Sequence, residues 1–201
     1  MPWHALLTFW FGAQSEGLSD STHRSQWFNV DAGFDDQCRT FESLVLAAAA
    51  GELDDWQQTP EGTLAFILLC DQLPRNLYRG SAQAYAFDEL ALRAATQGID
   101  QGFDRELGWD QRAFFYMPFE HAEHITAQHT AVGLFAKLRD EVPASAREIF
   151  GNNLRFAHQH RDILLRFGRF PHRNPVLGRE SSAAEIDFVA QGDGFGQLSP
   201  T

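Results

Sequence analysis

The chain has 201 residues, 44% of them hydrophobic and 21% charged, and carries a formal net charge of -11. That length fits one domain burying roughly 70% of the surface its unfolded form exposes, and the composition argues against disorder. So acidic a chain repels phosphate backbones and anionic lipid, which disfavours nucleic acid and membranes as partners.

In chain order, Trp3–Trp10 reads as a short first helix. This N-terminal stretch lacks the basic region and the length of a signal peptide. No run reaches the roughly 18–20 apolar residues that span a bilayer. Cys38 and Cys70 lie in apolar stretches and fit no zinc spacing, so both are expected as buried free thiols in a reducing compartment, the cytoplasm. A Gly/Ser-rich loop is expected through Ser25, then a helix over Phe34–Ala50 with Asp31 or Asp35 near its start and Gly51 at its end.

Thr59-Pro60-Glu61 combines a capping hydroxyl, a first-turn proline and an acid at the positive end of the dipole. The run Leu64–Cys70 that follows is apolar on every side, as in a central helix. Pro74 is expected to end or kink it. Ser81–Gln97 is amphipathic, with Phe87, Leu90, Ala91 and Ala94 opposite Glu89, Arg93 and Gln97. After a turn over Gly98–Gly108, a helix from Asp110 should be interrupted at Pro118. Long helices should follow over Phe119–Glu141 and Pro143–Phe167, with Gly168 as the stop. Ser182 and Glu185 form a capping box for a last short helix, and a frayed tail is expected over 192–201. Strand-like alternation is almost absent. The expected fold is all-α, a single domain over residues 1–201, with about seven or eight helices joined by short, antiparallel connections. No tetratricopeptide consensus repeat is present.

Two patterns point to chemistry. Residues 155–179 hold Arg155, Arg161, Arg166, Arg169, Arg173 and Arg179 with three histidines and a single acid, Asp162. All basic residues but Lys137 are arginine, which suits bidentate recognition of carboxylate or phosphate. Helical phase supplies the second pattern. Arg161 falls within the stripe Phe150, Leu154, Ala157, Leu164, Leu165, and the stripe Ala127, Ala131, Leu134, Leu138 extends back to His124 and Glu120, flanked by Glu123 and His121. Asp71, Gln72 and Arg75 close the all-apolar helix. Charges therefore sit where the pattern places the interior.

Three readings of this cluster stand side by side: a buried salt-bridge network, a site for an anionic ligand with Arg75, Arg161, Arg169 and Arg173 as donors, or an acid/base site in a hydrolase using Glu120, His121 and Glu123. No metal and no cofactor are expected, because Glu120–His124 matches neither HExxH nor a carboxylate-histidine ligand pair. Nucleophile elbows, phosphate-cradling loops and dinucleotide fingerprints are missing. A buried Arg161 would need an anion, with Glu120 the first choice, then Glu123 and Asp71. The Gly168–Gly178 loop is expected to be ordered, with anions gathering at Arg169, His172 or Arg173.

Several segments together resemble the bacterial DUF924 proteins of unknown function. They are Phe9-Trp-Phe-Gly12, Trp27-Phe28, Asp71-Gln-Leu-Pro-Arg-Asn76 with Tyr78-Arg-Gly80, Phe115–Glu123, His160-Arg-Asp162 and Arg166–Asn174. The resemblance covers nearly the whole chain, with Ala122 standing where the family pattern has Ser. It implies a right-handed superhelix of antiparallel helix pairs similar to tetratricopeptide folds, and no established activity. It also draws Asp71, Gln72, Arg75, Asn76, Glu120, His121, Glu123, His160, Arg161, Arg169, His172, Arg173 and Asn174 into one expected ligand site. The leading expectation is a binding module for a small anion or peptide carboxylate; the alternative is the hydrolase.

Overall fold

The computed structural model describes residues 2–192; the tail expected to fray lies, beyond residue 192, outside the described residues. The fold is all-α apart from one small hairpin. Helix α1 (His4–Phe11) leads into strands β1 (Gln14–Ser15) and β2 (Leu18–Ser19), then α2 (Ser21–Gln26), α3 (Ala32–Cys38) and α4 (Glu42–Ala49). The hairpin and α2 replace the loop expected there. Glu16 and Gly17 both have positive φ, the two-residue turn that matches strand twist. A Cβ on Gly17 would also meet Trp109 at 2.9 Å. Asp110 locks this corner: its carboxylate accepts from the Ser19 amide at 2.7 Å and from Arg24 at 2.9 and 2.5 Å. The helix expected over Phe34–Ala50 is divided by a tight turn at Arg39–Phe41.

Thr59 caps α5 (Pro60–Ile67) by accepting from the Gly62 amide, as its sequence requires. The helix does not break at Pro74. It widens over Leu68–Gln72 into a π turn, in which the Leu73 amide reaches back five residues to the Leu68 carbonyl, and continues as α6 (Leu73–Leu77). The wider turn absorbs a proline that has no N–H to give. Residues 62–74 are buried throughout, as the apolar run predicts for Leu64–Cys70, and burial extends beyond it to Asp71 and Gln72.

Helix α7 (Asp88–Gln101) starts later than its pattern suggests, behind a short 3-10 turn at Ala82–Tyr85. It runs through Gly98, whose missing side chain admits the Phe115 ring. Helix α8 (Trp109–His121) contains Pro118 without interruption. Burial of residues 112–120 outweighs the roughly 3 kcal/mol cost of an interior proline. The break comes instead at 122–124, before α9 (Ile125–Glu141). There Gln128, fully buried, donates its Nε2 to the carbonyls of Glu120 at 2.6 Å and Ala122 at 2.8 Å, meeting acceptors that the end of α8 leaves open. His124 is exposed at this break, not part of an interior stripe.

Helix α10 (Arg147–Phe167) ends on Gly168 at φ 72°, and α11 (Ala183–Ala190) opens with the expected Ser182/Glu185 capping box. Leu165, counted in the apolar stripe, is 60% exposed. Edge-to-face aromatics form the middle of the core: Trp10, Phe11 and Trp27 all pack on Phe114, with centroids 5.7, 5.4 and 4.8 Å away. Both cysteines are free and buried. Among the described residues no helix is long and apolar enough to cross a membrane.

Gln128→Leu keeps the volume and removes the donor, leaving buried carbonyls open. Urea unfolding should register a loss of about 1–3 kcal/mol, whereas exposed Gln97→Leu should stay within about 0.5 kcal/mol.

Candidate functional site

The site is built around Asp71, which the π turn aims at α8. Its side chain is wholly buried. His121 Nδ1 lies 2.7 and 2.9 Å from its two carboxylate oxygens, Gln72 Nε2 donates at 2.5 Å, and Arg75 stands 3.3 Å away. Burial pushes the Asp71 carboxyl up, but Arg75 and His121 outweigh it and hold the group well below the usual carboxylate range. Burial depresses the His121 pKa, with Asp71 opposing, so the ring is neutral at neutral pH. A neutral ring must then carry its proton on Nδ1, donating to Asp71, which leaves Nε2 as an acceptor.

Arg75 reaches past Asp71 to grip Asp88 with two hydrogen bonds of 2.9 Å each. Arg173 meets the same carboxylate at 3.3 Å and donates to the His121 carbonyl at 3.0 Å. Its guanidinium lies between the rings of Tyr85, 4.4 Å away, and Phe170, 4.6 Å away. Arg173 is 6% exposed and its Nε has no hydrogen-bond partner. Asp88 and Tyr85 escaped the sequence reading. Both lie inside the stretch read as the amphipathic helix, and Asp88 takes a first-turn position, which helix dipoles explain without any site, only because the helix begins there and not at Ser81.

These residues wall a cavity of about 120 Å³. Among the described residues its lining holds Arg75, Arg79, Arg173, His121, His160 and His172, with Gln72, Asn76 and Asn29, and no Asp or Glu. The carboxylates stand behind the wall: Asp71 and Asp88 under Arg75, and Asp35 under Arg79 and Asn76 at 2.9 and 2.7 Å. Burial, reinforced by Arg173, pushes the His172 pKa down to about 3. A larger, mostly apolar cavity of about 540 Å³ shares Trp27, Phe28, His121 and His160 with the first. Glu120 lines this second cavity and pairs with His160 at 2.9 Å.

The remaining expected site residues do other work. Glu123 accepts from the Phe170 amide at 2.7 Å and from Arg179 at 2.6 and 2.9 Å, which holds its pKa down against burial. Arg169 is engaged by Glu185 at 2.7 and 3.0 Å, and Asn174 donates to Ser181 at 2.9 Å. All three pin the segment after Gly168, whose Phe170, Pro171, Arg173 and Asn174 are buried. Arg169 therefore joins neither the cavity nor the expected anion site. Arg161 is the clear correction. Its partner is its neighbour Asp162, 61% exposed and 2.7 Å away, and none of Glu120, Glu123 or Asp71. The phase argument missed by one residue, about 100° of helix: His160 takes the buried position and meets Glu120. Among the described residues, no group of three or more His, Cys, Asp or Glu is placed to hold a metal ion.

The family model for bacterial protein of unknown function, DUF924, matches residues 6–193. The chain belongs to the DUF924 family. A solved structure of a protein of unknown function from Agrobacterium tumefaciens is similar at 38% identity, with a TM-score of 0.80 over 95% of this chain and 98% of that one. No curated protein matches. DUF924 membership thus agrees with the resemblance read from the motifs and attaches no activity to the cavity.

Two outcomes follow from the geometry. Asp71→Asn removes the charge shared by Arg75 and His121 and should cost about 3–5 kcal/mol, while Arg161→Ala, which deprives only the exposed Asp162 of a partner, should stay within about 0.5 kcal/mol; urea titrations read both. The pKa of His172 is depressed, so the unfolded state binds the proton more readily. Stability should fall as pH drops from the ordinary histidine value of 6.5 towards about 3, by up to about 1.4 kcal/mol per pH unit for this group. Unfolding measured between pH 7 and the carboxylate range should show that slope reduced in His172→Gln.

Proposed function

We propose that the chain is a binding module whose basic cavity takes a small anion, a phosphate or a carboxylate. The observation that carries this is the composition of the wall: three arginines and three histidines face the cavity, and every neighbouring carboxylate is withdrawn behind them. Such a surface offers planar, forked donors at low dielectric, where a charged hydrogen bond is strongest. A purely structural network has no need of a cavity at its centre, nor of a buried Arg173 Nε without an acceptor.

For the chain as a whole we propose a single domain forming a tetratricopeptide-like, right-handed superhelix of antiparallel helix pairs; the packing of α9 against both α8 and α10 supports that arrangement. Buried free thiols suit the cytoplasm, and the net charge of -11 disfavours nucleic acid and membrane surfaces as partners. A hydrolytic reading retains one favourable feature. His121 is held by Asp71 through Nδ1 and keeps Nε2 as a proton acceptor on a residue lining both cavities. Its other expected members are committed elsewhere, Glu123 to Arg179 and Glu120 to His160.

The test is calorimetric titration with inorganic phosphate at pH 7.5, with melting followed in parallel. Binding should raise stability by about 2.7 kcal/mol at a hundredfold excess over Kd. Asn29→Asp adds a carboxylate at the exposed mouth of the cavity and should weaken binding at least tenfold without lowering the unliganded melting temperature. No heat and no melting shift at tens of millimolar would overturn the proposal. Continuous heat from turnover of a phosphate monoester, lost in His121→Gln, would favour hydrolysis instead.

A further inference from the structure

Besides the basic cavity, the larger apolar one has no structural account. It is lined by Ala113, Phe114, Met117, Phe135, Ile149 and Phe156, and its volume of about 540 Å³ falls in the range of small-molecule sites. Apolar side chains gather at its edge: Phe28 is 62% exposed, Phe156 50% and Ile149 39%. Exposed aromatics next to a cavity of this size mark a binding surface more often than a defect of packing. Met117 supplies an adaptable wall, and its sulfur also receives the Gln72 amide at 3.4 Å, so one pair of side chains spans the boundary between the cavities.

Charge gives the two cavities a direction. The basic one has no carboxylate in its lining among the described residues. The apolar one contains Asp110 and Glu120, each already paired, with Arg24 at 2.5 Å and with His160 at 2.9 Å. An anionic head placed there would meet both carboxylates and a single arginine, Arg24, which Asp110 already engages; placed next door it meets Arg75 and Arg173. An apolar body has the opposite preference. We propose that the ligand is an amphiphilic anion, a carboxylate or phosphate monoester on an apolar body, with its head in the basic cavity and its body crossing His121 and His160 into the apolar one. This rests on the anion-binding reading above and adds the body to the head. The Nε of Arg173, buried and without a hydrogen-bond partner, belongs to a residue of the basic cavity's lining.

Titrations with butanoate, hexanoate and octanoate, and with ethyl and octyl phosphate, all below their aggregation limits, test it. Affinity should rise about fourfold per added methylene while the body fills the cavity. The head group showing the tighter binding at equal chain length identifies which anion the site takes. Octanol and octylammonium should bind at least tenfold more weakly than octanoate. Phe156→Glu and Ile149→Glu, both at exposed positions, should abolish the chain-length gain while leaving the affinity for inorganic phosphate unchanged. Phosphate binding with no gain along either series would overturn this inference and leave the anion site standing. Octanol or octylammonium equal to octanoate would overturn the assigned orientation, and no binding of phosphate or of any chain would remove both readings.

Discussion

A carboxylate with no access to water, Asp71, is the constraint around which the rest is arranged. An isolated buried charge costs several kcal/mol, and only hydrogen bonds and opposite charge offset that cost. The groups that meet Asp71 come from its own turn and from two further elements. Gln72 comes from the π turn, Arg75 from α6 and His121 from the end of α8. Once Arg75 is fixed, Asp88 must neutralise it from α7, and Arg173 then shares Asp88 from the segment after α10. The network ties five parts of the chain together, three of them directly on the Asp71 carboxylate. Its net contribution to stability is small by comparison with the aromatic core, and its stronger effect is on which arrangement of helices is permitted.

The end of α8 shows how packing and site are coupled. His121 is the last residue of that helix, so its ring direction depends on where the helix stops. Gln128 sets that point by taking up the terminal carbonyls, and Arg173 takes the carbonyl of His121 itself. The segment after Gly168 is bound from both sides, by Glu123 through Arg179 and by Glu185 through Arg169. Ion pairs that the sequence reading assigned to a ligand thus hold the loop that brings His172 and Arg173 to the cavity.

Much of this was legible in advance, for reasons that differ from element to element. Thr59, Gly168 and Ser182 act as caps because capping chemistry is local and needs no knowledge of the partner helices. The burial of Leu64–Cys70 follows from its continuous apolarity, and that of Asp71 and Gln72 beyond it does not. At Pro74 the expected end or kink takes the form of a π turn, and Pro118 does not break its helix, because intrinsic propensity is a per-residue cost that burial can exceed. Arg161 failed for a sharper reason. A stripe read at 3.6 residues per turn carries an uncertainty near one position over a helix of 21 residues, enough to exchange Arg161 for His160. Asp88, Tyr85 and Asp35 were invisible because long-range pairing leaves no mark on local periodicity.

The π turn at Leu68–Gln72 has a consequence for how the family's sequences can change length. A π turn is one residue more than an α turn occupies, so losing a single residue there returns the helix to regular geometry and improves its local hydrogen bonding. The same loss leaves the segments on either side in phase, because the wider turn already takes up the extra residue, and re-aims only the residues within the turn, Asp71 among them. The Asp71 carboxylate and the Arg75 guanidinium would then no longer present themselves to α8 and α7 together. At this one place the backbone is under-wound to suit the side chains, so a deletion that looks harmless in a helix would erase the cavity while leaving the fold's outline intact.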